Sequence, residues 1–204
     1  MLTVPLDTEA ARTLADQAAI IQDLQFVMDC CRRLLAELDK TAEERDAVVP
    51  QALWSAALVA YARCFGRGKR FGLTSEDVQA LPLQGAVMKY HQWVIRERAT
   101  LTSHPANPFD VAKVGAALTA PGSAKRQIEG IAVLANSHVL VDDIGVRQLG
   151  GLASELAKQT AEKAQAQQDR VLDDAREMGL DKLYQLPPLV TNTPEEDDEE
   201  PQAE

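Results

Sequence analysis

The stretch His91-Gln-Trp-Val-Ile-Arg-Glu-Arg98-Ala-Thr-Leu-Thr-Ser-His104-Pro-Ala-Asn-Pro-Phe-Asp110 carries a helical pattern straight into a helix stop. Val87, Tyr90, His91, Val94, Ile95 and Arg98 recur at three-to-four spacing, which predicts a helix over about 83–101. His91 and Arg98 are seven residues apart, two turns, and so lie near one stripe. Pro105 and Pro108 forbid regular helix beyond, leaving His104 at the helix end or in the loop that follows. The residue types define a chemistry. A guanidinium is always charged and an imidazole exchanges protons near neutral pH. In metal-independent cleavage of RNA, a neutral His takes the 2′-hydroxyl proton while an Arg stabilises charge on the phosphoryl oxygens. Arg98 and His104 are the candidates for those roles, with His91 as a second imidazole.

Outward from this stretch the chain reads as helices. Residues 9–39 keep helical spacing through Leu14, Ala18, Ile21, Met28, Cys31, Leu35 and Leu38, with Thr8 placed as N-cap. A second helix is expected from about Pro50 to Phe65, with Leu53, Ala57, Leu58, Tyr61 and Phe65 on one side and Gly66 after it. Gly66-Arg67-Gly68-Lys69-Arg70 then forms a basic loop, followed by a short helical turn capped by Thr74 or Ser75. Between about 127 and 144, two β-rich runs separated by Ala135-Asn-Ser137 predict a β-hairpin. A last helix is expected over about 146–178, ending at Gly179 and carrying Leu149, Leu152 and Leu156. The resulting expectation is a mostly α fold: one helical domain over residues 1–190, with long first and last helices and a small β-hairpin. Residues 191–204, rich in Pro, Thr and acid, are expected to be a disordered acidic tail.

Composition agrees with that class. The 204 residues are 46% hydrophobic but only 4% aromatic, so the apolar mass is Ala, Leu and Val. The net charge of −10 is concentrated in the tail, whose acids are Glu195, Glu196, Asp197, Asp198, Glu199, Glu200 and Glu204; the body is nearly neutral. Cys30, Cys31 and Cys64 have no metal-ligand spacing, and neighbouring cysteines do not readily bridge one another. With no leader pattern and no run of about 20 apolar residues, the sequence predicts a cytoplasmic protein without membrane contact, metal or cofactor. His138 reads as a turn or strand-face residue, and Asp142-Asp143 as a turn or a cap for the last helix.

The order of these parts resembles the HEPN superfamily, the higher eukaryote and prokaryote nucleotide-binding helical fold. The similarity spans roughly residues 50–150 and is carried by Leu53-Trp-Ser-Ala-Ala-Leu-Val-Ala-Tyr-Ala-Arg-Cys-Phe65 and by His91 to Asp110. It implies a helical bundle that dimerises, so that Arg98 and His104 of two chains form one composite RNA-cleaving site. It also implies a role in defence, such as a toxin–antitoxin system, or in stress response. The chain departs from active members at Ala99, where a polar residue is usual, and at Leu101 and Thr102, where basic and histidine residues are usual.

Two function classes follow. The first is an RNA-binding protein or metal-independent ribonuclease, in which Arg63, Arg67, Lys69 and Arg70 neutralise phosphates. The plainer account of that loop is a solvated connection. The second is a non-catalytic interaction protein that meets a partner through its long helices or its acidic tail.

Overall fold

In chain order the elements are α1 (Glu9–Leu38), α2 (Val48–Arg63), α3 (Ser75–Gln79), α4 (Val87–Ser103), β1 (Asp110–Leu118), β2 (Ile128–Ser137), α5 (Asp143–Met178) and α6 (Leu180–Leu183). The computed structural model describes residues 2–41, 43–44, 46, 48–66, 71–103, 110–122, 125–137 and 141–189. The fold is mostly α, as the periodicity requires.

The two long helices are antiparallel partners. Gly150 of α5 lies against Cys31 of α1, where an added Cβ would meet the Cys31 Cβ at 3.5 Å. Further along α5, Gln167 Nε2 donates to the carbonyl of Ala10 at 3.1 Å, so α1 recedes as α5 advances. Their seam buries Ile20, Leu24, Val27, Cys31 and Leu34 together with Val146, Leu149, Leu152, Ala153 and Leu156. Caps fix where each helix begins. Thr8 Oγ1 accepts the Ala11 N–H at 3.1 Å, and Asp142 Oδ1 accepts the Gly145 N–H at 2.8 Å, each satisfying an amide that has no partner within its helix. Of the two readings of Asp142-Asp143, the structure selects the cap.

On the other side of α1, α2 contributes Trp54, Ala57, Leu58, Ala60 and Tyr61 to the same core, and α4 contributes Val94. Tyr90 on α4 donates its hydroxyl to the Gly145 carbonyl at 2.5 Å, tying α4 to the first turn of α5. The short α3 is fixed by a full capping box, Thr74 with Asp77. Beyond α6, the Leu189 N–H donates to the Thr3 carbonyl at 2.7 Å, tying this segment to the residues before α1.

Two expectations are corrected. The buried line of α1 runs through Gln17, Ile20, Leu24, Val27, Cys30, Cys31, Leu34 and Glu37, rotated from the predicted stripe. Ala18 is exposed, while Met28, Leu35 and Leu38 flank the core. Helix α1 is gripped on two sides, and the polar residues at Gln17 and Glu37 disguise the ends of the inner line. The hairpin also moves: it spans 110–137, not 127–144, because its first strand is the Ala- and Gly-rich run Asp110–Leu118 and its second continues through Ala135-Asn-Ser137. The last helix ends at Gly179 as expected, with a positive φ of 82° there, and Leu180–Leu183 forms a further helical turn. His138 and the acidic tail, residues 191–204, lie outside the described residues.

Emptying the seam costs far more than removing a cap. In urea denaturation, Leu24→Ala is expected to lower the unfolding free energy by about 2–5 kcal/mol, whereas Asp142→Ala lowers it by about 1 kcal/mol.

Candidate RNA-binding groove

A groove of about 1120 Å³ opens between the end of α2, the segment leading into α3, and the second half of α4. Its lining includes Arg63, Phe65, Gly66, Gly72, His91, Ile95, Arg98 and Ala99. Helical geometry explains why His91 and Arg98 share it: two turns along α4 return a side chain to nearly the same direction.

His91 forms part of the floor and is only 5% exposed. Its Nδ1 lies 2.8 Å from the hydroxyl of Tyr61 on α2. Phe65 packs against the imidazole with ring centroids 4.6 Å apart. Burial lowers the His91 pKa from its ordinary value of 6.5, so the ring is neutral at pH 7. Burial raises the Tyr61 pKa strongly, so the phenol keeps its proton. With Tyr61 donating to Nδ1, the imidazole proton sits on Nε2 and one polar atom of the pair is left to satisfy. The reverse orientation leaves two, so the first is favoured. His91 is then a neutral hydrogen-bond donor held in place by Tyr61, a role unlike that of a proton shuttle. Helical spacing places Tyr61 on the apolar side of α2, and the signal for its second role is that a buried tyrosine needs a partner for its hydroxyl.

Arg98 is half-buried on the same wall, with Ala99 beside it. Helix α4 continues to Ser103, one residue short of His104, which itself lies outside the described residues. Of the expected catalytic residues, the structure thus brings His91 and Arg98 to one groove. Arg63 stands on the same groove but is engaged: its guanidinium forms a two-pronged ion pair with Asp23 of α1, with Nε donating to Oδ2 at 3.2 Å. Binding a phosphate there means exchanging one anion for another.

Arg67, Lys69 and Arg70 lie outside the described residues; the chain on either side of them is tied to the fold. Leu73 N–H donates to the Cys64 carbonyl at 2.7 Å, and Phe71 N–H donates to Asp16 Oδ2 at 2.8 Å. A Cβ on Gly72 would meet the Gly66 carbonyl oxygen at 3.0 Å, so glycine is what lets the two sides close. Glu76 also lines the groove, so its charge is mixed.

Among the described residues no cluster of three or more His, Cys, Asp or Glu side chains is placed to hold a metal ion. The cysteines are buried and free. Burial pushes both Cys31 and Cys64 up to about 12, which keeps them as thiols and removes them as nucleophiles. No described helix is long and apolar enough to cross a membrane. No family model matches the chain, and neither a curated protein nor a solved structure matches it.

The Tyr61–His91 pair predicts a pH signature. Below pH 6.5 the unfolded chain gains a proton that the folded His91 resists, so this group's contribution is complete above that pH and declines as the solution is acidified. Thermal melts at stepped pH should show that decline in the wild type. His91→Gln should flatten it and lower stability by about 1–3 kcal/mol at neutral pH, because Tyr61 loses its partner.

Proposed function

We propose that the chain is a HEPN-like RNA-binding protein of defence or stress response that holds RNA in the groove beside α4. The observation that supports this most is that α4 brings His91 and Arg98 to one groove, which Gly66 and Gly72, on either side of the basic segment in sequence, also line. Arg98 contacts phosphate, His91 donates a hydrogen bond from the floor, and Phe65 supplies an apolar surface for a base or ribose. Arg63 adds a phosphate contact by exchanging its Asp23 partner, and Arg67, Lys69 and Arg70 are further candidates for phosphate contact.

Cleavage, in this reading, depends on His104. Since His91 is neutral and bonded to Tyr61, the proton-transfer role falls to His104, with Arg98 stabilising the developing charge. The family resemblance adds a homodimer in which the two residues meet across chains. Ala99 offers no polar group to this arrangement, which favours binding over rapid cutting. A second reading, a non-catalytic protein that engages a partner through its long helices, draws on Phe26 of α1 and Leu172 of α5, both large, apolar and about half exposed.

The test is binding of a labelled single-stranded RNA followed by fluorescence anisotropy. Arg98→Ala is expected to weaken binding about tenfold and to reduce the salt dependence by close to one phosphate contact. His104→Ala should leave affinity intact and abolish any cleavage of total RNA or tRNA. Unchanged affinity in Arg98→Ala, together with loss of function on substituting Phe26, would move the assignment to the second reading.

A further inference from the structure

The β-hairpin presents an apolar face that no other described element covers. Val114 stands opposite Val133 and Ala116 opposite Ile131, so these four residues project from one side of the ribbon, joined by Leu118 through strand alternation. Val114, Leu118, Ile131 and Val133 are 65–72% exposed. Among the described residues the two strands pack on each other, and neither packs on a helix to any comparable extent. A lone two-stranded hairpin is marginal in water, and a contiguous apolar patch of this kind marks an interaction surface.

We infer that this face is the contact through which two copies of the chain associate, hairpin against hairpin about a two-fold axis. Charge is the first argument. Lys113 projects from the opposite side, across from Leu134, and Glu129 sits at the irregularity where pairing steps from Ala117↔Gly130 to Leu118↔Ile128. By the alternation that aligns Ile131 and Val133, Glu129 stands at the Leu118 end of the face, while its centre, Val114, Ala116, Ile131 and Val133, carries no charge; an identical centre meets it without repulsion, and nothing there recognises a phosphate. Shape is the second: Ala116 makes a hollow beside the larger Ile131, and a two-fold axis sets the bulk of one hairpin into the hollow of the other. Area is the third. Four large side chains at that exposure present on the order of 500 Å², so a face-to-face pair removes about 1,000 Å², the size at which specific interfaces begin.

This surface rests on the homodimer in the functional reading above and needs nothing from RNA binding. Sedimentation equilibrium of the full chain across the micromolar range tests it. The wild type is expected to be a dimer. Val133→Lys should weaken association by roughly a hundredfold, because the change enters the interface twice, while Lys113→Glu on the other side leaves it unchanged. Far-UV circular dichroism checks that the helices persist. A second variant does not depend on disruption: Ala116→Cys, near the axis, should give a disulfide-linked dimer under mild oxidation, the native thiols being buried. A wild-type dimer that survives Val133→Lys, or Ala116→Cys without covalent dimer, overturns the hairpin contact but spares the homodimer. A monomeric wild type, bare or co-sedimenting with phosphatidylcholine vesicles, overturns both, and RNA binding by the monomer would still stand.

Discussion

Two helices of about 45 and 54 Å, at 1.5 Å per residue, cannot hold themselves in water, and the apolar seam between α1 and α5 is what makes their length sustainable. Each fully buried leucine in it contributes about 1.5–3 kcal/mol, and the seam brings together Leu24, Leu34, Leu149, Leu152 and Leu156. Small residues set its spacing: Gly150 against Cys31 draws the backbones close. Helix α2 docks on the flank of α1, and α4 docks on α2. The groove lies between the end of α2 and α4, so its walls are carried by helices packed on this core.

The contact that carries this order into the groove is the hydrogen bond from Tyr61 to His91. It joins α2 to α4 through a buried polar pair, which is costly unless satisfied and strongly orienting once it is. Because it fixes the rotation of α4, it also fixes where Arg98 stands two turns later. A single packing decision thereby determines both the protonation of one residue and the position of another. Burial removes acid–base work from His91, and the bond to Tyr61 aims the wall around it.

Much of this was legible in the sequence, for identifiable reasons. Thr8, Thr74 and Gly179 are punctuation whose physics is local, so helix limits were readable to within a few residues. The sharing of one face by His91 and Arg98 followed from helical geometry alone. The rotation of α1 was not readable, since a helix pressed from two sides has no single apolar stripe, and Gln17 and Glu37 sit in the buried line. Nor was β1: Val-Ala-Lys-Val-Gly-Ala-Ala is weak in β-branched side chains, and only pairing with Ile128–Ser137 makes it a strand. Tyr61 was found as an apolar residue and missed as a hydrogen-bond partner, because its partner lies 30 residues away. The same distance problem concealed the engagement of Arg63 by Asp23.

Cys30, Cys31 and Cys64 add a property of another kind. All three thiols sit inside the helical core, two of them on the seam-forming helix and one beyond the last turn of α2. Their protonated state and burial make them inert while the bundle is closed. Reaction with a soluble thiol reagent then requires the helices to part, so the rate of labelling measures how often they do. The chain carries its own clock for breathing, with Cys31 timing the union of the long helices and Cys64 timing the edge of the groove.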